Sequence, residues 1–294
     1  MSKPTMKIGG VTVPQGLTGK DLFKFLVENK SLLVEEKKAE LKKADAVSVG
    51  CELLSKYFID KEGKLNKAAS DKQPDVSGPE TVINVINTTN WLDSHLDCHI
   101  PGIWNKSLKD NPVQLHLQEH EMAFDHVISD EAKAYTQKLT WKELGIDLPG
   151  VTEALIFATP FTGRNPYMEE QYRKGFVKNH SVGMRYVTLK LCVNEPEDEY
   201  YKEEYANWVQ YAPMVANIAD AEAVGFFWAV LEAKVIEGSA VVKGSNVVTP
   251  SLGFKSVQPS GDTEQPQPDA STVVKGSQEP KRVDLDKITK FLTT

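Results

Sequence analysis

The chain has 294 residues, which allows one large domain with extensions or two domains. With 40% hydrophobic and 26% charged residues, it has the composition of an ordinary soluble globular protein. A net charge of -7 argues against a protein that grips nucleic acid through its overall charge, so no nucleic-acid partner is expected.

Cys51, Cys98 and Cys192 are far apart, odd in number, and form no C-x-x-C pair. That spacing fits neither a disulfide framework nor a zinc knuckle, and it suits a reducing compartment. The stretch from Met1 to Lys7 has no apolar core, so no secretory signal is expected. The longest apolar run, Val224 to Leu231, is too short to cross a bilayer, and no membrane partner is expected.

Residues 1–77 read as a helical N-terminal extension with a linker. Thr18 can cap a helix with Asp21 three residues on, and Leu22, Phe25 and Leu26 follow at helical spacing. A second helix is expected from Ser31 to Lys43, where Leu33 and Leu41 stand among Glu35, Glu36, Lys37, Lys38 and Glu40. Its mixed charges read as a solvated face laced by i,i+4 pairs. Lys67 to Gly78 is polar and holds Pro74, as a linker would.

From residue 78 to 255 the pattern becomes that of one α+β domain. Strands are expected over Thr81–Asn87, Val113–Leu117, Leu155–Ala158, Val182–Val193 and Lys234–Val242. Helices are expected over Asp130–Lys138, over Tyr167–Lys174 ending at Gly175, and over part of Met214–Glu232. Residues 256–294 form a tail. Ser256 to Arg282 has no aromatic residue and should be disordered, and Val283 to Leu292 regains enough apolar periodicity for a short helix.

His116-Leu117-Gln118-Glu119-His120 spells H-x-x-E-H, a zinc-protease pattern that works only on a helix, where both imidazoles share a face. Here Val113, Leu115 and Leu117 alternate with Gln114, His116 and Gln118 after Pro112, which is strand periodicity. A satisfied structural histidine is therefore preferred for His116, and the same reading is given to His95 and His99. No metal and no cofactor is expected.

Ser181 follows a short basic segment and enters a strand-like run. It lacks the G-x-S-x-G elbow of α/β-hydrolases, because Asn179 stands two residues before it. His180 is a poor base for it, since neighbouring strand residues point to opposite faces. A base must come from a distant segment, and His120 is the candidate. Glu237 is the one acidic residue in the run Val235 to Val242, and it could orient a histidine as the third member of a triad.

Four blocks in order resemble the prohead serine proteases of tailed phages. They are Asp97-Cys98-His99-Ile100-Pro101-Gly102-Ile103-Trp104, Leu117-Gln118-Glu119-His120-Glu121, Gly175 followed by Ser181-Val182-Gly183-Met184, and Ile236-Glu237-Gly238-Ser239 continuing to Asn246. The family usually has a glycine several residues after its histidine, where this chain reads Asp125-His126-Val127-Ile128-Ser129. The choice between His120 and His116 stays open on that account.

The resemblance implies a herpesvirus-protease-like β-barrel wrapped by helices, with His120 and Ser181 catalytic and Glu237 as the third residue. It further implies a serine endopeptidase that cleaves the major capsid protein, scaffold segments and itself. The expected setting is an assembling procapsid in the host cytoplasm, with a homo-oligomer, a dimer, as the working form. A non-enzymatic capsid-assembly scaffold and a zinc protease using His116 and His120 are the alternatives.

Overall fold

Two short paired strands, β1 (Lys7–Ile8) and β2 (Val11–Thr12), precede helices α1 (Gly19–Glu28) and α2 (Lys30–Ala39). This computed structural model describes residues 7–8, 11–41, 57–59, 65–67 and 79–255. Thr18 takes the N-cap position of α1, though its side chain makes no capping bond. Helix α1 buries Leu22, Phe23 and Leu26, and α2 buries Leu33 and Lys37 one turn apart. These helices share one apolar cluster with Trp104, Tyr186, Leu189 and Trp228 of the main body. Leu26 and Leu33 are fully buried there, and each such leucine contributes about 1.5–3 kcal/mol. The expected solvated face of α2 is thus interrupted by Lys37, which is buried and paired with Asp97.

A short antiparallel pair, β3 (Tyr57–Ile59) and β4 (Leu65–Lys67), comes next. Apart from Lys67, the expected linker over 67–77 lies outside the described residues, as do the expected disordered tail and terminal helix over 256–294. The main sheet has eight strands: β5 (Thr81–Thr88), β6 (Asp97–His99), β7 (Val113–Gln118), β8 (Val127–Thr140), β9 (Val151–Pro160), β10 (Asn179–Val193), β11 (Phe226–Val241) and β12 (Ser251–Lys255). They run in the order β10-β11-β7-β8-β9-β5-β12, with β6 also beside β11. Strands β6 and β7 pair with β11 in parallel, and every other pairing is antiparallel.

The long strands β10 and β11 bury alternate residues on opposite faces, as period 2 requires. Val193, Trp228 and Val230 meet α1 and α2 through one cluster. Cys192, Phe227 and Ala229 meet Trp208, Tyr211 and Ala221 of α5 (Lys202–Tyr211) and α6 (Ile218–Val224) through another. Two further helices, α3 (Asn105–Asp110) and α4 (Pro166–Arg173), lead into β7 and β10. Gly225 ends α6 at φ 83° and lies under the Phe23 ring, where a β-carbon would come within 2.6 Å.

Two expectations are corrected. Asp130–Lys138 is strand, because β8 is laddered on both sides and buries Ala132 and Ala134 alternately, which overrides a helix-forming composition. The helix expected over part of Met214–Glu232 is α6, and β11 begins after it at Phe226. The architecture is mixed α+β, but the ladder does not close into a barrel among the described residues. Its first and last strands are tied instead by Thr249, whose hydroxyl accepts from His180 N at 3.1 Å and donates to His180 O at 2.8 Å.

Candidate active site

Strand β7 ends at Gln118, and the next two residues turn the chain sharply. Glu119 and His120 both sit at positive φ, 53° and 60°. Two consecutive non-glycine residues there cost about 1–3 kcal/mol each, and such outliers concentrate at functional sites. The turn is held by Glu119 N–H donating to Ala240 O at 2.9 Å and by His120 N–H donating to Ser239 Oγ at 3.1 Å.

The turn carries the imidazole over β11. His120 Nδ1 lies 2.6 Å from Glu237 Oε1, and Ser239 Oγ donates to Glu237 Oε2 at 2.6 Å. The carboxylate oxygen is the acceptor of the bond to His120, so Nδ1–H is its donor. Glu237 is 1% exposed, which makes both hydrogen bonds matter. Room for the carboxylate comes from Gly183, the cross-strand partner of Glu237: a β-carbon there would fall 1.8 Å from Oε1.

Ser181 pairs with Ser239 across the β10–β11 ladder. Directly opposed residues project to the same face, and so do residues two apart on one strand. Ser181, Gly183, Glu237 and Ser239 therefore share the face on which the His120 imidazole is bound. Ser181 and His120 remain slightly exposed, at 6% and 5%. Of the three residues singled out in the sequence, His120 at the end of β7 and Glu237 on β11 are hydrogen-bonded, and Ser181 on β10 shares their sheet face. Ser239 was missed as a partner, although its place two residues after Glu237 on a strand puts it on the same face.

His116, His180 and His99 are occupied elsewhere. His116 lies within β7, not on a helix, so it cannot share a helical face with His120 as H-x-x-E-H zinc binding requires. His180 Nδ1–H donates to Thr249 O at 2.9 Å, so its Nε2 accepts from Tyr172 O–H at 2.9 Å. The Tyr172 oxygen then accepts from His116 Nε2–H at 3.1 Å, and His116 Nδ1 accepts from Thr159 O–H at 2.7 Å. Burial holds His180 down to about 4 and His116 well below the ordinary histidine range, which keeps both neutral. His180 is spent on this chain and cannot serve Ser181. His99 is likewise satisfied by Asn87 at 3.0 Å and Tyr186 at 3.3 Å.

Cys98 and Cys192 are buried free thiols; burial pushes Cys192 up to about 12 and Cys98 higher still, so neither is a nucleophile. Among the described residues no group of three or more His, Cys, Asp or Glu side chains could hold a metal ion, and no helix is long and apolar enough to cross a membrane. A cleft of about 350 Å³ opens beside the turn, lined by residues that include Gln118, Glu119, Met168, Asn179 and Ala240. No protein-family model, curated protein or solved structure matches the chain.

Proposed function

We propose that the chain is a serine endopeptidase that cleaves capsid and scaffold segments, and itself, while a phage procapsid assembles. The observation that carries the reading is the 2.6 Å bond between His120 Nδ1 and the buried Glu237 carboxylate, on the sheet face that also carries Ser181. In this reading His120 Nε2 takes the Ser181 proton as Oγ attacks the scissile carbonyl, then returns it to the leaving amine. Glu237 stays ionised, fixes the tautomer and stabilises the imidazolium, while Ser239 holds both the carboxylate and the His120 backbone. Water then repeats the attack on the acyl-enzyme.

The order of the four sequence blocks supports a phage setting: action inside the procapsid in the host cytoplasm, on the major capsid protein and scaffold, with a dimer as the working form. It also supports kinship with the herpesvirus assembly protease fold, here with an open sheet in place of a closed barrel. The test is co-expression with a capsid protein, with Ser181 intact or changed by Ser181→Ala. Loss of capsid and self cleavage in the variant is expected. Unchanged cleavage sinks the claim, and no cleavage by either chain favours a non-enzymatic assembly protein.

A further inference from the structure

The backbone just before Ser181 is gripped from the open side of its strand. Strand β10 lies at one end of the ladder and, among the described residues, pairs with β11 alone. Every second residue of such a strand points its backbone groups away from the neighbour, where they normally meet water. At His180 they meet Thr249 instead: its Oγ accepts from His180 N–H at 3.1 Å and donates to His180 O at 2.8 Å. Asn246 O, at 3.4 Å, is the weaker of the two acceptors for that hydroxyl. Thr249 O in turn accepts from His180 Nδ1–H at 2.9 Å. One threonine thus does for His180 what a neighbouring strand would do, and holds its side chain as well. Both residues are fully buried, so without that hydroxyl two backbone groups would be left unpaired in the interior.

Thr249 is itself fixed by the loop that follows β11. Asn246 Oδ1 accepts from Val248 N–H at 3.0 Å and from the Thr88 hydroxyl at 3.1 Å, and Asn246 Nδ2 donates to Thr88 O at 2.9 Å. Beyond Thr249, Pro250 O accepts from Val85 N–H at 3.0 Å. The loop is therefore anchored to β5 on both sides of Thr249. Gly244 of the same loop passes so close to β10 that a β-carbon there would fall 2.8 Å from His180 O.

We propose that Thr249 is a positioning residue for Ser181: by fixing the peptide groups on both sides of the His180 α-carbon, it sets where the Ser181 hydroxyl stands relative to the His120–Glu237 pair. The His180 carbonyl belongs to the planar peptide unit that leads into Ser181, so its direction constrains the direction of the Ser181 side chain. Neighbouring strand residues project to opposite faces, so the strand is anchored through His180 on one face while Ser181 is presented on the other. Displacing a reacting atom by about 1 Å can cost about 10²-fold in rate, so a hold on the preceding residue matters without any contact with substrate. The positioning role rests on Ser181 as nucleophile; the bonds around His180 do not.

The test measures how fast the full chain is labelled by a fluorescein-tagged fluorophosphonate, whose phosphorus an activated serine attacks with loss of fluoride. Labelling is followed across pH and counted per folded molecule from near-ultraviolet circular dichroism. Thr249→Val keeps the shape but not the hydroxyl. It should slow Ser181-dependent labelling by about 10²-fold with the pH midpoint unchanged, since His120 and Glu237 are untouched. Thr249→Ser restores the hydroxyl and should label within about threefold of the parent. Gly244→Ala keeps the hydroxyl but crowds His180 O, and should slow labelling about tenfold. The His180 amide should exchange with solvent at least about 10²-fold more slowly than in an unfolded peptide. If Thr249→Val does not fold, Gly244→Ala and that exchange rate decide. Parent-like labelling in Thr249→Val and Gly244→Ala, equal slowing by Val and Ser at position 249, or a freely exchanging His180 amide overturns the positioning role and leaves Ser181 as nucleophile. Labelling that survives Ser181→Ala, or no labelling of the parent, sinks the nucleophile and the positioning role with it.

Discussion

Gly183→Ala tests the site most directly, because its effect follows from geometry alone. The added β-carbon falls 1.8 Å from Glu237 Oε1, 2.7 Å from Cδ and 3.0 Å from Cγ. Comfortable contact needs about 3.5 Å, so the carboxylate must withdraw by about 1.5 Å. Its two 2.6 Å bonds, to His120 and Ser239, then open beyond hydrogen-bonding distance. Each is charge-assisted and contributes about 1.5–3 kcal/mol. Alanine recovers only about 0.5–1 kcal/mol through its smaller loss of backbone freedom in a strand. A net loss of about 2–5 kcal/mol is expected, seen as a melting temperature lower by roughly 5–15 °C. With the imidazole no longer oriented, cleavage that depends on Ser181 should slow by about 10²–10⁴-fold. Thermal unfolding, a cleavage time course and the proton resonance of His120 Nδ1–H are the assays. Melting within about 2 °C of the parent, with that resonance retained, would show that the carboxylate does not need the space Gly183 leaves.

Three further outcomes are expected. Tyr172→Phe removes the hydroxyl between His116 Nε2 and His180 Nε2, leaving two buried ring nitrogens unpaired; denaturant titration should show a loss of about 2–4 kcal/mol, and a loss below about 0.5 kcal/mol would contradict the hydrogen-bond chain. Lys37→Met leaves the buried Asp97 carboxylate without its cation and should cost about 3–5 kcal/mol, more than half of which Asp97→Asn should restore when added; an unchanged denaturation midpoint counts against the pair. Acid should destabilise the fold between pH 6.5 and about 4, because burial depresses His99 and His180 to about 4 and His116 well below its ordinary range. The unfolded chain takes up those protons first, so stability is full above pH 6.5 and falls with pH. Asp93, raised to about 6 by burial and by neighbouring Asp97, opposes this by one proton. The net slope is at most about 2.7 kcal/mol per pH unit, and a flat midpoint from pH 7 to 4.5 would be inconsistent with buried neutral imidazoles.

What could be read from the sequence depended on whether the cause was local. β-Branched runs and alternation placed β5, β7 and most of β10, and those strands carry His120 near one end and Ser181 within another. Glu237 stood out because it is the one carboxylate in its strand-like run. Residues 130–138 misled because Glu131, Ala132, Lys133 and Ala134 favour helix, and only ladders to two distant strands make them extended. Helix α5 escaped notice because its buried face includes Glu204 and Asn207. Glu204 is there to receive Lys30 at 2.6 Å, and Asn207 to reach Leu191 O at 3.0 Å, partners no local pattern shows. In β7 the alternation located the strand, but Gln114 and His116 are buried whereas Val113 is exposed. The side chains that satisfy His116, Thr159 and Tyr172, are 43 and 56 positions away.

The parallel contact of β7 with β11 has a consequence for when the site can exist. His120 and Glu237 are 117 positions apart, and Ser181 lies between them in sequence. During synthesis from the N-terminus, His120 and Ser181 leave the ribosome well before the carboxylate that fixes the imidazole tautomer. Pairings this distant are also slow to form, because the intervening loop must close first. A nascent or half-folded chain therefore carries a serine and a histidine but no oriented base. Completion of β11 is the step that brings the Glu237 carboxylate to the His120 imidazole, so the order of folding sets when that pair can exist.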